Sequence, residues 1–184
     1  MINRQEALSL VNKYLKNKEN KLISLYVEAI LRKLANLLDE DEDLWGLTGL
    51  LFNIDYEYTE DDKENRGTIS SQILQDLLPE EGINAIKSNN YLYTDVLPVS
   101  SLDKALISAE AAVKLILMVA KTVPSKNLND IDVDLLLKKI DDNSSASDKT
   151  ISRLKLCKDN NIDLENFLKL SLSIMRTIPL NAEL

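Results

Sequence analysis

An all-α fold, built as a single-domain bundle of about nine helices, is what this sequence predicts. Three observations carry that expectation. Apolar residues recur at three- and four-residue spacing through most of the chain. Only four glycines and four prolines occur among 184 residues, which leaves hairpins and sandwiches short of turn residues. The chain is 45% hydrophobic, ordinary for a protein that buries one core, and its length fits one domain spanning residues 1–184.

The elements come in this order. Asn3 with Glu6 has the spacing of a capping box, and Ala7, Leu8, Val11 and Leu15 then repeat at helical intervals. Asn17 to Asn20 breaks the pattern before a second helix, whose broad face holds Leu22, Ile23, Tyr26, Ile30, Leu34 and Leu37. The acidic run Asp39 to Asp43 is expected to be a solvated connection, with its acids near the next helix's positive end. It lacks the spacing of a calcium loop. A third helix, Asp43 to Asn53, is apolar on nearly all sides, which places it and Trp45 at the centre. After a polar loop, helices are expected over Thr68–Leu77 and Glu80–Asn89, with Pro79 in the first turn of the latter. Asn90 to Pro98 reads as a loop. Ser100 with Asp103 starts a long buried helix to Thr122, and Asp132 caps a short one, Val133–Ile140. Asp141 to Ser147, rich in Asp, Asn and Ser, reads as the most flexible stretch. Helices over Asp148–Asp159 and Leu164–Thr177 complete the chain, the last one capped by Asp163.

Composition excludes several functions. No histidine is present, so chemistry that needs an imidazole is closed to this chain. A net charge of -8 repels phosphate backbones and anionic lipid headgroups, and the cations form no run interleaved with aromatics. Neither nucleic acid nor a membrane is expected as a partner. The longest apolar region, Ala105 to Val123, is interrupted by Ser108, Glu110, Lys114 and Lys121, as suits a buried helix. Met1 to Glu6 turns polar at once, so no leader is expected and the cytoplasm is the default location. One cysteine, Cys157, rules out an intramolecular disulfide, and its spacing from Ile151 and Leu154 puts it on an apolar face as a small hydrophobe. Glycine-rich phosphate loops and nucleophile elbows are absent.

One segment is more specific. Leu50-Leu51-Phe52-Asn53-Ile54-Asp55-Tyr56-Glu57 closely resembles the signature of the HD-domain superfamily of metal-dependent phosphohydrolases, which runs Leu-Leu-His-Asp-Ile-Asp-Tyr-Glu. Glu28 to Arg32 is similar to that family's first ligand helix, and Gly67 to Leu74 to the helix after the metal loop. Ile86 to Asn90 stands where an Ile-Lys-x-His-Asn motif is found. Leu102 to Leu106 and Pro124 to Lys126 resemble a subgroup of small stand-alone HD proteins. The likeness spans Asn3 to Met175.

The resemblance implies a helical phosphohydrolase fold whose metal ligands have been lost. The family's first histidine ligand falls on Ile23, and its paired His-Asp on Phe52 and Asn53. Further histidines fall on Arg66 and Asn89, and the last aspartate on Glu110. One aspartate is kept as Asp55. Ile and Phe offer no lone pair, and Arg66 would repel a cation. The likeness thus implies a catalytically inactive homologue, with no catalytic residue, no metal and no cofactor, that binds a small molecule or a protein. The alternative is a residual phosphohydrolase that holds Mg²⁺ on Asp55, Glu57 and Glu110. A homodimer through an exposed helix face is a third class, without a specific mark in the sequence. Two placements are open for Arg66. It could enter the former metal cavity and pair with Glu110 and Asp55, with Ile23 and Phe52 filling the remaining volume. Otherwise it faces water at a loop–helix junction.

Overall fold

Short polar side chains start most of the helices by accepting hydrogen bonds from first-turn amides that have no partner within the helix. The computed structural model describes residues 1–142 and 147–180, and among them there are ten α-helices and no strand. These are α1 (Arg4–Tyr14), α2 (Lys18–Leu38), α3 (Glu42–Leu51), α4 (Thr68–Leu74), α5 (Glu80–Ser88), α6 (Tyr91–Thr94), α7 (Ser101–Thr122), α8 (Val133–Asp141), α9 (Asp148–Leu154) and α10 (Leu164–Met175). Asn3 and Ser100 form reciprocal capping boxes with Glu6 and Asp103. Asn17, Asp41, Asp132, Ser147 and Asp163 cap α2, α3, α8, α9 and α10. Each such cap is worth about 1 kcal/mol.

The helices differ from expectation in a few places. The acidic connection supplies Asp41 as the cap of α3, two residues before the expected start, with Glu42 and Asp43 in the first turn. Pro79, expected in the first turn of α5, is its N-cap. Tyr91–Thr94, read as loop, forms one helical turn, and the Thr94 hydroxyl donates to the Lys87 carbonyl. The helix expected over 148–159 tightens at Lys155 into a 3₁₀ turn that ends at Asn161. Leu154, Cys157 and Asn160 are all buried, and a tighter helix of three residues per turn brings that three-residue spacing onto one face. In the stretch from Asp141 to Ser147, positions 143–146 lie outside the described residues.

One hydrophobic core gathers residues from every α-helix except α6. The long helix α7 runs through it and packs against α2, α5, α8, α9 and α10. Its apolar stretch is a core element, and no helix is long and apolar enough to cross a membrane among the described residues. The all-round apolar α3 is enclosed by α1, α2, α5 and α7, with Trp45 1% exposed. The α2–α3 crossing is close because Gly49 carries no side chain. A Cβ there would come within 3.0 Å of the Glu28 amide nitrogen and the Val27 carbonyl oxygen. A buried carboxylate adds a clamp at this corner, since Glu28 accepts from Arg4 of α1 at 2.7 Å and from Arg32 of its own helix at 3.1 Å. At the far end of the chain, α10 packs on α2, and the Tyr26 hydroxyl donates to the Ile178 carbonyl at 3.1 Å.

Candidate functional site

Glu110, on the buried face of α7, is the centre of the most elaborate polar cluster among the described residues. Its side chain is 3% exposed, and each carboxylate oxygen accepts two hydrogen bonds. One oxygen takes the Tyr56 hydroxyl and the Lys114 ammonium, the latter at 2.5 Å. The other takes the Asn89 amide at 3.0 Å and the Arg153 guanidinium at 2.5 Å. Arg153 also donates to the backbone and side-chain oxygens of Asn89, at 2.8 and 2.7 Å. Four segments meet here: α7 gives Glu110 and Lys114, the end of α5 gives Asn89, α9 gives Arg153, and the loop after α3 gives Tyr56.

The electrostatics derive from that geometry. Burial alone would push the Glu110 carboxyl up, but the charges of Lys114 and Arg153, with the donors around it, hold it well below the usual carboxylate range. Burial and the neighbouring Glu110 charge push the Tyr56 hydroxyl well above its ordinary value, so it remains a protonated donor. The Tyr56 ring is a platform. The Arg66 guanidinium carbon lies 4.1 Å from its centroid, the Lys114 nitrogen 5.2 Å, and Phe52 meets it edge-on at 5.7 Å.

Arg66 takes neither of its two anticipated placements. It does not pair with Glu110 or Asp55, and it does not stand free in water. It stacks on Tyr56 and donates to the Thr59 hydroxyl and carbonyl, both at 3.2 Å. Arg153, from a helix far along the chain, fills the role expected of Arg66. Nothing in the local pattern of α9 marks Arg153 as inward-pointing. Lys114 did carry a signal, because it stands one turn after Glu110, at a spacing that suits an ion pair.

A cleft of about 220 Å³ opens over this cluster, lined by Tyr56, Arg66, Asn89, Lys149 and Arg153 around Glu110. A second, wider cleft of about 600 Å³ adjoins it and shares Tyr56, Arg66 and Lys114 as its wall. Ile23 lines this second cleft at 5% exposure. Phe52 is in the core. Asn53 is buried beside α2, accepting from the Ser24 hydroxyl at 2.6 Å and donating to the Asn20 carbonyl at 3.0 Å. Of the seven anticipated site residues (Ile23, Phe52, Asn53, Asp55, Arg66, Asn89 and Glu110), only Arg66, Asn89 and Glu110 line the first cleft.

Asp55 and Glu57 serve the backbone instead. One buried oxygen of Asp55 accepts from the amides of Gly67 and Ser70, at 2.6 and 3.0 Å, which ties the loop to the start of α4. Gly67 makes this turn at φ 83°, a conformation that glycine adopts without strain. Burial pushes the Asp55 carboxyl up against those hydrogen bonds. Desolvation is the largest single influence on the Glu57 carboxyl and raises it, but the amides of Lys16 and Asn17 ahead of α2, with the Asn20 amide and the Lys16 charge, together hold it low. The three carboxylates therefore do not converge on one point. No group of three His, Cys, Asp or Glu residues able to hold a metal occurs among the described residues, so the donor set does not fit a Mg²⁺ site. Cys157 is fully buried, and burial pushes its thiol up to about 11, the state of an inert core thiol.

No protein-family model, curated protein or solved structure matches this chain.

Proposed function

We propose that the chain is a cytoplasmic, non-catalytic binding module of HD-domain-like descent, whose ligand is a small molecule bearing an anionic group such as a phosphate. One observation carries this proposal. Four cationic side chains (Arg66, Lys114, Lys149 and Arg153) line a cleft in which Glu110 is the only carboxylate among the described residues, although the chain as a whole carries a net charge of -8. Glu110 is already saturated by donors, so the surplus positive charge faces the cleft. Guanidinium and ammonium groups in that arrangement recognise phosphate or carboxylate oxygens. The cleft's size and the acidic surroundings favour a compact ligand over a nucleic acid. The resemblance carried by Leu50 to Glu57 supports the same conclusion, since that family acts on phosphate compounds. With no imidazole in the chain, and Asp55 and Glu57 committed to backbone amides, no metal-activated nucleophile is assembled from these groups.

Titration calorimetry with inorganic phosphate tests the proposal. Binding is expected to weaken by about tenfold, or about 1.4 kcal/mol, in Arg66→Gln, and to fall steeply with added salt. Generic phosphate esters with Mg²⁺, Mn²⁺ or Ni²⁺ are expected to show no turnover above background. Turnover abolished by Glu110→Gln, or phosphate affinity indifferent to Arg66→Gln, would count decisively against the proposal.

A further inference from the structure

We infer that Lys149 is a reactive amine, placed in the cleft to form an imine with small molecules that carry both an anionic group and an aldehyde or ketone. The inference rests on the anion-binding proposal above for its selectivity.

Two amines line the cleft, and they are not equivalent. The Lys114 nitrogen is held 2.5 Å from Glu110, where its proton is part of an ion pair. Lys149 shares the cleft with Arg66, Lys114 and Arg153, but both Glu110 oxygens are already taken by donors other than Lys149. Desolvation lowers its ammonium pKa first, and the charges of Arg153, Lys114 and Arg66 lower it further against the opposing pull of Glu110. Only the unprotonated amine is a nucleophile, and a lysine crowded by other cations supplies more of it at neutral pH. Both lysines are exposed, but Lys169, outside the cleft, has the opposite setting. Lys169 is paired with Glu165, which raises its ammonium pKa.

The step balances without an oxidant or reductant. The neutral Lys149 nitrogen forms a bond to the carbonyl carbon, and the carbonyl π pair moves to oxygen, which takes up a proton. The nitrogen then loses a proton, and water leaves to give the carbon–nitrogen double bond. Arg66 and Arg153 would hold the anionic end while the carbonyl meets the amine.

Pyridoxal 5′-phosphate, added to the full chain below stoichiometry and followed by borohydride reduction and peptide mapping, reads this out. Lys149 is expected to be labelled about tenfold faster than Lys169. Excess inorganic phosphate should protect it, and pyridoxal without the phosphate should label it poorly. Lys149→Arg should abolish the cleft adduct, whereas Lys169→Arg, outside the cleft lining, should leave it unchanged. Phosphate binding together with label spread evenly over the lysines would overturn the Lys149 assignment and leave the anion site standing. Equal labelling of Lys149 by both aldehydes, without protection by phosphate, would instead overturn the anion site and the directed chemistry that depends on it.

Discussion

Glu110→Gln is expected to lower folding stability at neutral pH by about 3 kcal/mol, which corresponds to a fall in Tm of about 6–12 °C for a chain of this size. The substitution keeps the shape of the side chain and removes its charge. Arg153, 11% exposed, is then left in the interior beside Lys114 with no carboxylate between them. The new amide cannot repair the cluster. Whichever way it turns, its NH₂ group faces a cation, Lys114 on one side or Arg153 on the other. The effect is pH-dependent, and its sign is set by the depressed carboxyl. The folded state holds Glu110 ionised where the unfolded chain, with an ordinary carboxyl near about 4.3, takes up a proton. The stabilisation is therefore present above that value and is lost as pH falls below it. Urea midpoints of the two proteins should differ clearly at pH 7, and the gap should narrow progressively below about pH 4. Equal midpoints at pH 7 would show that the cluster contributes nothing to stability.

Trp45→Ala should cost more, about 3–5 kcal/mol. Trp45 is the largest side chain buried below 2% exposure, and it sits on a helix enclosed by four others. A site walled by packed helices relaxes poorly into the space a lost indole leaves, so both the transfer and cavity contributions apply. The expected signature is a lower urea midpoint with an unchanged slope, because the surface exposed on unfolding is nearly the same. A loss under about 1 kcal/mol would mean that α3 is not central to the stability of the core.

How far such features could be read from sequence depended on how locally they are encoded. The caps at Asn3, Ser100, Asp132 and Asp163 were legible because a side chain and the amides it receives lie within one turn. The centrality of α3 was legible because it is apolar all round. The turn at Tyr91–Thr94 was not, since four residues are too few to show a period. The 3₁₀ turn through Cys157 escaped for a related reason, because three-residue spacing also fits one face of an α-helix. At the site, Asn89 and Glu110 are hydrogen-bonded to each other, but the chemistry around them was not legible. Arg153 reaches Glu110 across 43 residues of chain, and no local pattern specifies such a contact. Arg66 was misplaced because its partners, the Tyr56 ring and Thr59, lie within its own loop rather than across the cavity.

The hydrogen bond from Tyr26 to Ile178 joins positions 152 residues apart, at the place where α10 packs on α2. During synthesis, α2 leaves the ribosome early, but its covering helix is made much later. Until α10 and Ile178 emerge, part of the apolar face of α2 has no native partner, and the nascent chain cannot complete its core. Through that interval of translation this corner of the core stays open, and final packing waits until the late segment is free to dock.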